Sequence, residues 1–202
     1  MGEPRQNPDV DGRLRQVVEE LRQRLAEDEP AREPAPADVH GTTADDIAHD
    51  ALHDPGHDRW ALYRRAASAP TAWPLLLRAV RWETDLALAS AVVVLMLEKV
   101  PGAERKSWVS ALAPTARPFS LVRLRELAVY ERLCAGVVPE DFGPDDIEGW
   151  SDWLQRRAAL GLDEERVLTL LARTGRTKKA RRTALERLRP MVRSRGQDRR
   201  IP

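Results

Sequence analysis

The chain has 202 residues, 42% of them hydrophobic, one cysteine and a formal net charge of +1. This length supports a core of ordinary size without disulfides or metal, and a single cysteine excludes an intramolecular disulfide. The near-neutral total hides an uneven distribution, because the segment from Arg173 to the end holds 12 lysines or arginines and 2 acids. Such a cluster indicates an arm that binds a polyanion or a partner protein.

Alanine, leucine, arginine and glutamate dominate the sequence, and runs of alternating β-branched residues are missing. This composition predicts an all-α protein. We expect an irregular array of antiparallel helix pairs, either helical-repeat-like or an orthogonal bundle, with an N-terminal amphipathic arm. The predicted organisation is an arm over 1–29, a Pro-rich linker over 30–42, a helical domain over 43–192 and a disordered basic tail over 193–202.

The N-terminal arm carries five apolar residues at helical spacing among arginines, glutamines and glutamates. The spacing predicts an amphipathic helix of about four turns with one apolar face. Prolines at 30, 34 and 36 prevent the helix from continuing. The arm therefore either packs back on the body or meets a partner, and its predicted docking residues are Leu14, Val17, Val18, Leu21 and Leu25.

The first half of the body contains five predicted helices, separated by prolines and glycines. They cover 43–53, 58–69, 73–83, 85–99 and a short stretch around Trp108. Residues 86–97 are apolar almost all round, so we expect the fourth of these helices to be the most buried.

The second half is predicted to contain a long helix over 120–136, a helix over 145–161 and a hairpin of helices over 163–173 and 178–189. Pro190 is predicted to end the last helix. Cys134 is predicted to be a buried thiol. The residues of the long helix that we expect to face inward are Leu121, Leu124, Leu127, Ala128 and Leu133.

Two segments within 44–99 resemble HEAT repeats. The first has a leucine, an Asp-Pro turn, an arginine and a pair of small residues, at Leu52, Asp54, Pro55, Arg59, Ala66 and Ala67. The second has an acidic turn followed by apolar residues, at Glu83, Thr84, Asp85, Leu86, Ala89, Val92 and Val93. The resemblance implies stacked helix pairs whose surface binds a protein or a nucleic acid.

All four histidines fall within residues 40–57, interleaved with aspartates. His49 and His53 are four residues apart on a predicted helix, so two imidazoles could share a metal ion. The stretch 49–53 is similar to the zinc metalloprotease motif, but Asp50 replaces its glutamate base. His57 comes two places too early to be the third ligand. The candidate metal ligands are His49, His53, His57 and Asp50, and a solvated helix face is the alternative.

The basic end of the chain supplies candidate contacts with a partner or with nucleic acid. Lysines and arginines on the last predicted helix could neutralise phosphates, and the hairpin around Gly175 could be a helix-turn-helix. Ala184, Leu185 and Leu188 are the expected apolar stripe of that helix. Two tryptophans followed by arginines are a second candidate surface, with core packing as the alternative. The candidates are Lys178, Lys179, Arg181, Arg182, Arg187, Arg189, Trp150 and Trp153.

The sequence contains no Walker loop, dinucleotide-binding glycine pattern, serine elbow or paired-cysteine motif. We therefore expect a non-enzymatic helical adaptor that mediates protein–protein interaction, without a cofactor, in the cytoplasm and not at a membrane. The alternatives are a DNA- or RNA-binding protein that uses the basic C-terminal helix, and a metal-binding protein that uses the His/Asp cluster.

Overall fold

A computed structural model describes residues 8–28 and 55–198, with side chains for 9–28 and 56–191. These residues form ten α-helices and no β-strand, which confirms the prediction of an all-α protein. The chain divides into two compact units, Met1–Val122 and Arg123–Pro202. No helix in the described residues has both the length and the hydropathy needed to cross a membrane.

The helices of the first unit are α1 (Pro8–Glu27), α2 (Pro55–Ala66), α3 (Trp73–Trp82), α4 (Leu86–Leu97) and α5 (Arg105–Ala111). Short 3-10 turns precede α3, at Pro70–Ala72, and α6, at Pro114–Ala116. The helix α6 (Arg117–Cys134) begins in the first unit and continues into the second. The second unit then contains α7 (Pro144–Gly149), α8 (Asp152–Gly161), α9 (Glu165–Thr174) and α10 (Lys178–Asp198).

The apolar face of α1 is buried inside the first unit. All five of its predicted docking residues are at most 7% exposed, and each such side chain contributes about 1.5–3 kcal/mol when it is removed from water. Polar contacts to α3 fix the same orientation: Arg78 lies 2.8 Å from Glu20, and the Arg13 guanidinium stacks over the Trp82 ring at 4.7 Å. Of the two predicted outcomes for the arm, the structure therefore shows packing on the body.

The helix α4 carries six buried residues, in agreement with its apolar sequence: Leu88, Ala89, Val92, Val93, Met96 and Leu97. It begins at Asp85, whose carboxylate accepts hydrogen bonds from the backbone N–H groups of Ala87 and Leu88. This contact satisfies two of the donors that a helix N-terminus leaves open.

A carboxylate with a fully buried side chain stands beside this cap. Glu83 Oε2 accepts hydrogen bonds from the Tyr63 hydroxyl at 2.9 Å and from Arg59 Nε at 3.1 Å. Its second oxygen accepts from the backbone N–H of Asp85 at 3.0 Å. Burial, together with the neighbouring Glu83 charge, raises the pKa of the Tyr63 hydroxyl well above its usual value. The network joins α2 to the connection between α3 and α4.

The core of the second unit is built from α7, α8, α9 and α10 together with the last turns of α6. The predicted helix over 145–161 is in fact two helices, because Trp150 has an extended backbone with ψ of 145°. Ser151 then caps α8, since its side chain accepts from the backbone N–H of Leu154 at 3.3 Å. The apolar pattern of the sequence cannot reveal such a break, because Ile147 before it, Trp150 at it and Leu154 after it are all buried.

Three local predictions for the second half differ from the structure. The helix α10 continues past Pro190 to Asp198 and so includes part of the tail predicted to be disordered, whereas 199–202 lie outside the described residues. A proline removes one backbone donor, but its fixed φ is compatible with a helix that continues beyond it. Cys134 is exposed rather than buried.

The third difference concerns the inward face of α6. Leu127 and Leu133 are buried as predicted, but Leu121 is 37% exposed, and Ala128 is exposed. Arg123 and Glu126 are buried instead. Arg123 stacks over the Trp153 ring at 3.7 Å, and Glu126 accepts a hydrogen bond from the backbone N–H of Ser151 at 3.1 Å. These partners compensate the polar groups for the loss of water.

The division of the chain also differs from the predicted organisation, which placed one helical domain over 43–192 after a separate arm. The structure includes α1 in the first unit and divides the chain between Val122 and Arg123. That boundary falls inside the continuous helix α6, so no linker composition marks it in the sequence. The predicted linker over 30–42 lies outside the described residues, and the choice between repeat and bundle stays a prediction.

Candidate functional site

The basic helix α10 is held in place by a tight connection to α9. Gly175 is buried, and a Cβ atom on it would lie 2.5 Å from the Leu171 carbonyl oxygen, so only glycine fits without a shift of the backbone. Arg181 closes the turn by donating to the carbonyl oxygens of Gly175 at 2.5 Å and Arg176 at 3.3 Å. These two hydrogen bonds link the start of α10 to the connection that precedes it.

One side of α10 is buried against the rest of the second unit, through Ala180 and Ala184. The opposite side is exposed, and we call it the basic face of α10. It consists of Lys178, Lys179, Arg182, Leu185, Glu186 and Arg189. These six positions lie within one third of the helix circumference at 100° per residue, so a single flat ligand could touch them together.

Leu185 is 49% exposed on the basic face. The sequence placed it on the inward stripe with Ala184 and Leu188, but it lies about 100° around the helix from Ala184. The buried positions repeat as Ala180 and Ala184 instead, with Leu188 packed against the core. Leu185 thus joins the solvent-facing cations Lys178, Arg182 and Arg189.

Charge on the basic face is not uniform. Arg182 Nε lies 3.1 Å from Glu186, in a pair four residues apart along the helix. Both side chains are largely exposed, so this pair contributes little to stability. Arg182 could therefore pair with a carboxylate of a partner instead of Glu186. Among the described residues, no hydrogen bond or ion pair engages the side-chain cations of Lys178, Lys179 or Arg189.

Two predicted contact residues bind the protein itself. Arg187 donates to the carbonyl oxygens of Leu160 at 2.7 Å and Leu162 at 3.0 Å, and it also pairs with Asp163. These contacts hold the C-terminal end of α8. Arg187 and Arg181 are therefore anchors of α10, and the basic face retains Lys178, Lys179, Arg182 and Arg189 of the six cations predicted.

The two candidate tryptophans belong to the packing of the second unit. Trp150 is 8% exposed, and its ring meets that of Phe142 at a centroid distance of 5.7 Å. Trp153 is partly buried beneath the Arg123 guanidinium. The packing alternative therefore describes both residues, and neither lies on the basic face of α10.

The proposed metal cluster falls mostly outside the described residues, which include His57 but not His49, Asp50 or His53. His57 is exposed near the start of α2. Where the structure describes the chain, no three His, Cys, Asp or Glu side chains are grouped as metal ligands would be. The metal site stays a prediction from sequence.

Comparisons with protein-family models, with curated proteins and with solved structures find no match for this chain. The functional argument therefore depends on the chemistry of the described surfaces.

Proposed function

We propose that the protein is a non-enzymatic adaptor that binds an acidic partner protein through the basic face of α10. The observation that carries the proposal is an exposed leucine, Leu185, three residues after Arg182 and four before Arg189. Arginine and apolar side chains together are typical of protein interfaces, where the apolar group is buried and the cations meet carboxylates. The proposal includes a cytoplasmic location, since the lone Cys134 requires no oxidising compartment.

Leu185 favours a protein over a nucleic acid as the partner. Cations strengthen the binding of a phosphate backbone, whereas a leucine that lies among them strengthens it little. Glu186 would also be repelled by phosphate, whereas a protein partner could offer it a lysine or leave it paired with Arg182. Burying the exposed half of Leu185 would contribute about 1 kcal/mol to binding.

The test compares the wild type with Leu185→Ser. Both are immobilised and exposed to nuclease-treated extract from the cells that make the protein, and the captured proteins are quantified by mass spectrometry. Each candidate partner is then purified and titrated. We expect Leu185→Ser to weaken binding by at least about fivefold, as for a buried interface contact.

Leu160→Ser is the matched control, because Leu160 is a leucine of the same unit with 62% exposure that lies on α8. It should bind like the wild type. Equal binding by wild type and Leu185→Ser, or equal losses in both variants, would remove the proposal. Charge reversal of Lys178 and Lys179 should slow association and reduce its dependence on salt.

Nucleic acid is the second candidate, favoured by a specific observation. Four cations share the basic face, and the sequence continues with arginines at 193, 195, 199 and 200. DNA or RNA binding would weaken steeply with salt, with a slope that becomes shallower when Lys178 and Lys179 are reversed. It would be insensitive to Leu185→Ser. A flat affinity between low and high salt would eliminate this candidate.

A further inference from the structure

The first unit contains an open groove of about 740 Å³. The C-terminal parts of α1, α2 and α4 line it. Its apolar surface comes from Leu25, Ala61, Ala69 and Leu95. Because Ala61, on α2, and Ala69, just after it, have small side chains, the backbone of a bound segment could approach this part of the chain closely.

The charged residues of the groove are mainly cations. Among the residues that the structure describes, Arg64, Arg65 and Lys99 line it, against a single carboxylate, that of Asp28. Asp28 already accepts a hydrogen bond from Thr71 and lies 3.9 Å from Arg24. Arg64 and Arg65 stand in the last turn of α2, where they also offset the partial negative charge of the helix end.

We propose that this groove is a second docking site, for an acidic segment of a partner protein that places apolar side chains on the alanine and leucine floor. Charge complementarity selects this occupant, since carboxylates that flank the apolar side chains would meet Arg64 and Lys99, both of which are exposed. A small anion is a poorer match, because it requires polar groups that converge on one point. Here the cations surround an apolar floor.

The site does not depend on the basic face of α10, because the described residues that line it all belong to the first unit. Together the two surfaces would give an adaptor one binding site in each unit. Failure of one site therefore leaves the other untouched, and the experiments separate them.

The probe is a fluorescent synthetic peptide of about four helical turns, with leucines three and four residues apart and glutamates elsewhere. Its binding to the full chain is followed by anisotropy. We expect saturable binding that Arg64→Glu with Lys99→Glu weakens by at least about tenfold, because both reversals place carboxylates against carboxylates. Leu185→Ser combined with Lys178→Glu and Lys179→Glu removes the basic face of α10 as an alternative site for the acidic peptide. We expect this variant to keep the binding that depends on the groove, which distinguishes this site from the proposed function.

Lys106→Glu is the matched control, because Lys106 is an exposed cation of the same unit outside the groove. The proposal is overturned if the full chain does not bind the peptide, if the groove variant binds it unchanged, or if Lys106→Glu weakens binding equally. The chain's own segment over 29–54 carries seven carboxylates and one arginine. If the peptide binds only after those carboxylates are replaced by amides, this segment is the occupant and the partner proposal fails.

Discussion

The two units use their charged residues differently. In the first unit the main polar contact is buried: Glu83 is enclosed and receives three hydrogen bonds, one each from Tyr63, Arg59 and the Asp85 backbone. The second unit also has buried polar side chains, Arg123, Glu126 and Gln155. Most of its arginine contacts, however, lie nearer the surface, where the side chains donate to backbone carbonyl oxygens at the ends of helices and loops. The arginines that do so on other segments are Arg166, Arg176 and Arg187.

This difference changes how the arginine-rich C-terminus should be interpreted. Carbonyl oxygens at helix ends lack partners within the helix, and the planar guanidinium group can reach two or three of them at once. Arg176, Arg181 and Arg187 are used in this way. Charge counted along the sequence therefore overstates the cations that remain for a ligand. Of those with described side chains, four lie on the basic face of α10.

The largest expected effect is in the first unit. Glu83→Ala would leave the Arg59 guanidinium and the Tyr63 hydroxyl without their shared acceptor. We expect a loss of about 3–5 kcal/mol in the free energy of unfolding, the range for a buried pair that loses one partner. Chemical denaturation measures it, and Glu104→Ala, at an exposed glutamate, is the control. A loss below about 1 kcal/mol would show that the network does not hold the unit together.

A smaller effect is expected at the turn of the second unit. Gly175→Ala places a methyl group 2.5 Å from the Leu171 carbonyl oxygen, so the backbone must shift. We expect a loss of about 2–3 kcal/mol in the free energy of unfolding, as for an overpacked core position. Gly149→Ala is the matched control, because a Cβ there meets nothing within 4 Å. Similar melting temperatures for both variants would contradict the close approach.

A substitution at Arg166 tests how much the surface contacts of the second unit contribute to stability. It donates to the carbonyl oxygens of Pro139, Glu140 and Phe142, at 3.2, 2.7 and 2.6 Å. Arg166→Ala should cost about 1–2 kcal/mol of unfolding free energy, less than the buried network because water can replace the lost donors. Arg156→Ala is the control, since Arg156 donates only within its own helix, to Asp152. Equal losses would indicate that the loop contacts contribute nothing specific.

The smallest effect concerns pH. Burial raises the pKa of Tyr63 above the ordinary value of 10.0, so the hydroxyl stays protonated in the folded protein where the unfolded chain would lose the proton. The folded state then binds more protons, and stability falls as the pH rises above 10, by at most about 1.4 kcal/mol per unit. Denaturation of wild type and Tyr63→Phe between pH 9 and 11 measures the difference. If the free energies of unfolding of the two proteins changed with pH in parallel, this linkage would be excluded.

Much of the fold could be predicted from sequence because it depends on local spacing. The apolar face of α1 and the apolar helix α4 are both recognisable in the repetition of leucine, valine and alanine, and both are buried. The hairpin around Gly175 was also predicted at the correct place. The basic face of α10 was predicted in part, because Lys178, Lys179, Arg182 and Arg189 are exposed as expected.

The missed features arise from contacts between residues distant in sequence. The burial of Glu83 depends on its contacts with Arg59 and Tyr63, which lie 24 and 20 residues earlier in the chain. No local pattern links these residues, so the sequence does not reveal the contact. Arg187 likewise binds a residue distant in sequence, because it donates to the carbonyl oxygen of Leu160 at the end of α8. It therefore does not face a ligand as predicted. The groove in the first unit also needs three separate helices and so has no signature in any one segment.

The sequence by itself determined the helical class, the apolar face of α1, the apolar helix α4 and the concentration of cations at the C-terminus, because these depend on composition and on a period of 3.6 residues. The tertiary structure decided which side of α10 faces solvent, which arginines bind carbonyl oxygens, and whether α1 packs on the body. Those outcomes depend on which groups meet when the helices pack, since a buried polar group requires a partner that only packing can supply.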